Sequence, residues 1–359
     1  MRTSFSWRFV AVLAPLALVT ACGSSIPEAP PGAPIDPPRA KDDLLESMMG
    51  GDASSSGDAA APEDEKKKKE REDLERDLAK LDADVAKEKA RMAPLVKDLA
   101  ALEAKDFPSF KAAVDAVLKS PHRAPGNAER DKYRHPGETL AFFGLKQDMS
   151  VLELDAGAGW YTELLAPLLA KKGKLTVSGP DPNGPTSERR TYYGKKLRAK
   201  LDVAPELGSK VDYLSMESDG TFTIGKEGAF DAILAMRTLH NWQRKGAMDK
   251  NLAECFKALK PGGILAVEAH RAKPGSDPKA TAEKGYLPEA YVIERAQAAG
   301  FKLDAKSDVN ANAKDTKDYA EGVWALPPTL RNVADADKAK LVAIGESDRM
   351  TLRFVKPKK

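Results

Sequence analysis

Cysteine is nearly absent from this chain of 359 residues: Cys22 and Cys255 are its whole complement. That excludes a fold stapled by disulfides. Cys255 falls in the apolar pattern Leu252, Cys255, Phe256, Leu259, which reads as the buried face of a helix. Histidine is also scarce, with four residues in no paired ligand spacing, so no metal site is expected. Charge of one sign is lacking as well. The formal balance is +3, and +1 without Arg2 and Arg8, too even to mark a nucleic-acid or acidic-lipid partner. The apolar run Val10 to Val19 is too short to span a bilayer.

That run does have a meaning in its setting. Met1 to Phe9 carries Arg2 and Arg8 and no acid, and the apolar stretch behind it suits the core of a signal peptide, so the chain is expected to be exported. The run ends in Val19-Thr20-Ala21-Cys22 followed by Gly23-Ser24-Ser25, which resembles the lipobox of bacterial lipoproteins. The resemblance implies a signal peptide over residues 1–21 and lipid on the Cys22 thiol. Several acyl chains, at ~0.8 kcal/mol per buried methylene, hold a protein on a membrane where one chain would not. A lipid-anchored protein of the cell envelope, facing the periplasm, is the expected location; which membrane holds it is left open.

Residues 22–62 consist largely of Pro, Gly, Ala, Ser and Asp and are expected to form a disordered tether. The composition then turns to Glu, Lys, Asp, Leu and Ala over residues 63–105. There Leu74, Leu78, Leu81, Val85, Met92, Leu95, Leu99 and Leu102 fall alternately four and three apart, with Glu88 in one seam position. This coiled-coil-like heptad stripe predicts an amphipathic helix. Its face, residues 74–102, fits either a partner helix or the chain's own domain. Pro94 predicts a break near Arg91 to Pro94.

From residue 106 to 359 short apolar runs alternate with helical patterns, the mark of an α/β domain with a mainly parallel sheet. Seven strands are predicted: Val151 to Leu154, Lys174 to Ser178, Val211 to Leu214, Asp231 to Met236, Ile264 to Glu268, Phe301 to Ala305 and Thr351 to Val355. The clearest helices are Tyr161 to Ala170, Ser187 to Leu201, Met248 to Leu259 and Pro288 to Ala299.

The most informative segment runs from Val151 to Thr162, through Glu153-Leu154-Asp155-Ala156-Gly157-Ala158-Gly159. A buried strand enters a small-residue turn and then a helix, which lets backbone approach a ligand at the carboxyl end of the first strand. A dinucleotide fingerprint needs a third glycine where Thr162 stands, so NAD and FAD are disfavoured; a nicotinamide-dependent reductase shares only the sheet topology. The stretch instead resembles the first motif of class I S-adenosylmethionine-dependent methyltransferases, with Glu153 as the acid and Gly157 and Gly159 as its last two glycines. Asp155 departs from the motif, standing where its first glycine belongs. Asp181, about 20 residues beyond the turn, is the expected ribose ligand. Two later segments, Phe230 to Met236 and Leu259-Lys260-Pro261-Gly262-Gly263-Ile264-Leu265, resemble the fourth and fifth strand regions of the same family.

The polar segments narrow the resemblance. Ser120 to Arg123, Arg130 to Pro136, Arg237 to Trp242, Glu268 to Arg271, Lys314 to Asp318 and the closing stretch from Glu321 to Thr351 look like a group of predicted bacterial methyltransferases with export signals. The resemblance implies a Rossmann-like methyltransferase fold with a mainly parallel seven-stranded sheet, and S-adenosylmethionine as cofactor. Its cofactor-binding residues are then Glu153, Asp155, Gly157, Gly159 and Asp181. Arg237, Asn241, Trp242 and Arg271 are expected on the substrate side, and His240 or His270 as a base where the acceptor begins protonated. Two readings follow: an envelope methyltransferase acting on a small-molecule or envelope acceptor, or a fold that has lost catalysis and serves in binding or assembly. Export away from a cytosolic cofactor and the aspartate at 155 are what keep the second alive.

Overall fold

The computed structural model describes residues 62–358 apart from 204–207 and 209; the signal segment, Cys22 and nearly all of the tether lie outside the described residues. Five helices precede the sheet: α1 (Pro62–Met92), α2 (Val96–Ala104), α3 (Phe110–Leu118), α4 (Asp131–Arg134) and α5 (Pro136–Phe142). Next come β1 (Ser150–Leu154), α6 (Thr162–Leu169), β2 (Lys174–Pro180), α7 (Arg189–Val203), β3 (Val211–Met216) and β4 (Phe230–Met236). After β4 stand α8 (Leu239–Arg244), α9 (Met248–Ala258), β5 (Leu259–His270), α10 (Pro278–Glu283) and α11 (Glu289–Ala298). The chain closes with β6 (Lys302–Ser307), α12 (Asp335–Ile344) and β7 (Arg349–Val355).

The seven predicted strands form one sheet in the order β3-β2-β1-β4-β5-β7-β6. Neighbours from β3 to β5 are parallel, and β7 runs antiparallel between β5 and β6. The alternation of side chains across a strand divides the core in two. Leu152, Leu154, Ile233, Ala235, Leu265 and Val267 point to the face covered by α9 and α11. Val151, Val177, Ala232, Leu234 and Ala266 point to the face covered by α3, α5, α6 and α7. The order of strands reverses between β1 and β4, so their carboxyl ends splay into a crevice, the usual ligand position in such sheets.

The heptad stripe lies on the chain's own domain. Met92 and Leu99 are buried with Val203 at the end of α7, flanked by Val85, Leu95 and Leu102. Polar contacts fix the same seam: Asp77 pairs with Arg189 of α7, and Glu103 meets Lys210 at 2.8 Å. The guanidinium of Arg91 donates to the carbonyls of Pro121 and His122 at 3.0 and 2.9 Å. The expected break is present as a single 3-10 turn, Ala93–Leu95, between α1 and α2. Residues of the heptad segment thus pack on the domain that follows them.

Candidate functional site: an arginine-lined cavity at the glycine turn

The turn after β1 is built from residues in left-handed backbone angles. Asp155, Gly157 and Gly159 have φ of +48°, +58° and +71°, a region closed to most side chains and open to glycine and, at small cost, aspartate. Asp155 thus holds left-handed backbone angles at the position where the sequence resemblance expects a glycine. Ser178 of β2 holds the turn down, its hydroxyl accepting from the Asp155 N–H and its carbonyl from the Ala156 N–H, both at 2.9 Å. The Asp155 carboxylate accepts from Thr238 Oγ1 at 2.8 Å, and Asn241 also faces it. Burial raises its pKa, and those two donors oppose the rise. Glu153 is buried in the strand below and accepts from Thr162 Oγ1 at 2.7 Å. Loss of water pushes its pKa up to about 7 despite that bond and the nearby Lys200 and Arg237.

Above the turn is a cavity of about 430 Å³, in the range of small-molecule sites. Of the residues expected from sequence, Glu153, Asp155, Gly157, Arg237 and Asn241 line it. Gly159 sits just behind, where an added Cβ would come within 3.0 Å of the Lys200 side chain and 3.3 Å of Thr162 Oγ1. Arg237 directly follows β4 and has φ +59°. Its N–H donates to the Glu268 carbonyl at 2.6 Å, and its Nη1 is buried without a hydrogen-bond partner among the described residues.

The other expected residues are placed differently. Asp181 spends one carboxylate oxygen on the Asn183 N–H, at 2.9 Å, closing a turn beside the Pro180 that lines the cavity. Trp242 is a core residue, its ring 5.8 Å from that of Phe222. Arg271 is occupied by Glu289 and Asp348, each at 3.1 Å. His240 and His270 stand together outside the lining, ring centroids 5.8 Å apart. Burial, then nearby cations, push His240 down to about 4. His270 is also depressed by burial, and its Nδ1 is 2.6 Å from Ser347 Oγ. Burial thus favours the neutral form of both imidazoles.

The run from Arg130 to His135, which sequence leaves equally open to clamping an anion or to pairing with nearby acids, supplies further lining residues. Arg130 and Arg134 both reach Glu346, at 2.8 and 2.9 Å, and Arg349 joins them at 2.8 Å. Arg349 also meets Glu268 at 3.2 Å, whose other oxygen accepts from the Tyr161 hydroxyl at 3.0 Å. Trp160, next to the turn, carries the Arg134 guanidinium 4.6 Å above its ring. Its Nε1 donates to the Asn127 carbonyl at 3.1 Å. Below this roof Glu163 ties the segment from His122 to Asn127 to α6, accepting from Arg123 at 3.2 Å and from Asn127 at 2.9 Å. The cationic run from Arg130 to His135 is visible in sequence, but nothing there distinguishes its internal ion pairing from ligand contact.

Solved structures similar to the chain include a SAM dependent methyltransferase from Aquifex aeolicus, 18% identical over 68% of this chain and 98% of that one, with a TM-score of 0.42. The cyclase SpnF is 18% identical over 70% and 98%, with a TM-score of 0.43. An S-adenosylmethionine dependent methyltransferase from Mesorhizobium loti is 12% identical over 61% and 96%, with a TM-score of 0.38. No curated protein matches the chain. Residues 152–267, about a third of the chain, match the family model described as a methyltransferase domain. That segment runs from β1 to β5 and builds most of the cavity, so the body of this chain is a Rossmann-like methyltransferase fold.

Proposed function

We propose that this chain is an S-adenosylmethionine-dependent methyltransferase of the exported bacterial group, held at an envelope membrane by lipid on Cys22 and acting on a small-molecule or envelope acceptor. The reading is carried by the turn from Asp155 to Gly159, which keeps three left-handed residues although one of them is not glycine, and opens on a cavity at the end of β1 and β4. The cofactor, when bound, supplies a methyl group on a cationic sulfonium sulfur. The chain's own contribution fits such a group. Gly157 and Gly159 let backbone come close, and Asp155 lines the cavity as counter-charge, with Glu153 beside it. The membrane location is supported by the signal-like residues 1–21 and the lipobox-like run ending at Cys22.

Calorimetric titration of the folded protein with S-adenosylhomocysteine, the demethylated product, tests the reading. Saturable binding is expected, weakened tenfold or more by Gly157→Val, because a branched side chain at φ +58° strains the turn. No heat of binding up to millimolar product, from a cooperatively folded protein, overturns the methyltransferase assignment.

A further inference from the structure

Two cavities meet at the glycine turn. The second, of about 260 Å³, lies between α1, α7 and the turn. It shares Arg130, Ala158, Trp160 and Lys196 with the first. Its walls are mostly apolar, with Leu81 and Val85 from the heptad stripe and Tyr192 and Val203 from α7. The acids on its α1 side are matched on their own helix: Asp84 by Lys80 at 3.5 Å, and Glu88 by Arg91 at 2.6 Å. Lys200 is taken by Glu163 at 2.9 Å. Lys196, on the shared wall, has no carboxylate partner among the described residues.

The first cavity carries the more telling feature. Arg134 is 4% exposed, yet its Nη1, like Nη1 of Arg237, is buried without a hydrogen-bond partner among the described residues. Both residues line this cavity. A charged donor with nothing to donate to is costly, and two guanidiniums that are each short of an acceptor beside one space favour a ligand that bears negative charge.

We propose that the two cavities form a single site for an amphiphilic acid, with its apolar body in the chamber under α1 and its anionic head beside the guanidiniums of Arg134 and Arg237. Its role as methyl acceptor rests on the function proposed above; its binding does not. As acceptor, a carboxylate oxygen forms the bond to the methyl carbon while the carbon–sulfur bond breaks, and the electron pair stays on sulfur. No proton has to move, which agrees with a cavity whose lining includes neither His240 nor His270.

The test titrates octanoate and 1-octanol, by calorimetry, into the full chain saturated with S-adenosylhomocysteine. Octanoate is expected to bind saturably and octanol at least tenfold more weakly. Arg237→Gln should weaken octanoate at least tenfold while leaving affinity for the demethylated product within twofold, and Leu81→Trp should remove octanoate binding from the other end by filling the chamber. Equal affinities for acid and alcohol, or no octanoate binding, overturn the proposal. So does an Arg237→Gln variant that loses affinity for S-adenosylhomocysteine instead, since the guanidinium would then serve the carboxylate of the cofactor. If the product does not bind at all, the methyltransferase reading falls, and octanoate titrated into the free chain still decides whether the acid site exists.

Discussion

Glu346 is the residue on which the cationic roof of the site depends, and Glu346→Gln measures how much. Its carboxylate is 5% exposed and meets three guanidiniums, those of Arg130, Arg134 and Arg349. The amide keeps the shape and removes the charge. The three partners do not lose equally. Arg130 is 23% exposed and is screened by water, so its share is under about 1 kcal/mol. Arg349, although 1% exposed, keeps Glu268 at 3.2 Å. Arg134 is 4% exposed and has no other carboxylate partner among the described residues, so it becomes a buried cation without a counter-charge. Breaking a buried pair in this way costs about 3–5 kcal/mol.

The expected loss is therefore about 4 kcal/mol, and roughly 10 °C in Tm at the ~2–4 °C per kcal/mol usual for domains of this order of size. Urea titration followed by tryptophan fluorescence reads it. Arg134→Met in the same background supplies the second arm. It forfeits the guanidinium stacked 4.6 Å over Trp160, but it also removes the orphaned charge. The double variant should cost at least about 2 kcal/mol less than the sum of the two single changes. A loss below about 1 kcal/mol for Glu346→Gln, or simple additivity, would refute the idea that Glu346 is the counter-charge of Arg134.

Three further outcomes are expected. Because His240 is held down at about 4 against an ordinary value of 6.5, the unfolded chain takes up a proton between those pH values that the folded chain refuses. Stability is then whole above pH 6.5 and falls as pH drops toward 4, by up to about 3 kcal/mol; urea midpoints of His240→Asn should lose much of this slope, and parallel curves would sink the account. Leu99, 1% exposed where the heptad helix meets α7, should cost about 2–5 kcal/mol on change to Ala, and a chain begun at Asp106 should unfold at lower urea than the full one; an unchanged midpoint in both would show that the helix merely rests on the domain. Cys22→Ser should leave an exported protein that no longer sediments with membranes, and sedimentation that resists a salt wash would contradict the lipid anchor.

Five of the seven strands, β1, β2, β4, β5 and β7, were legible because each buries an apolar run, whereas β3 and β6 stand out only by their place between turn signals and helical patterns. The glycine turn was legible because few residue types tolerate its backbone angles. What sequence did not resolve is which side of a loop or short helix each polar residue takes. Arg237 to Trp242 shows why. The chain enters α8 within this segment, so Thr238 and Asn241, three apart, share the side that faces Asp155. Leu239 and Trp242, also three apart, share the side that enters the core. Helical spacing applied across the end of β4 would have separated the site residues from Trp242. No such rule was open for Asp181, whose carboxylate had a local backbone donor two residues on and a distant ligand as equal candidates.

The aspartate in the turn has a consequence for how the two sides of the crevice move. Here the Asp155 side chain reaches Thr238, directly beside Arg237, and so couples the turn to the guanidinium that lines the opposite wall. Both ends of that link, Asp155 at φ +48° and Arg237 at φ +59°, are left-handed residues that are not glycine. Each conformation costs on the order of 1 kcal/mol or more and persists only where its surroundings fix it. The hydrogen bond between Asp155 and Thr238, with the Arg237 N–H on the Glu268 carbonyl, is that fixing. The departure from glycine thus leaves the turn intact and makes the position of Arg237 depend on it.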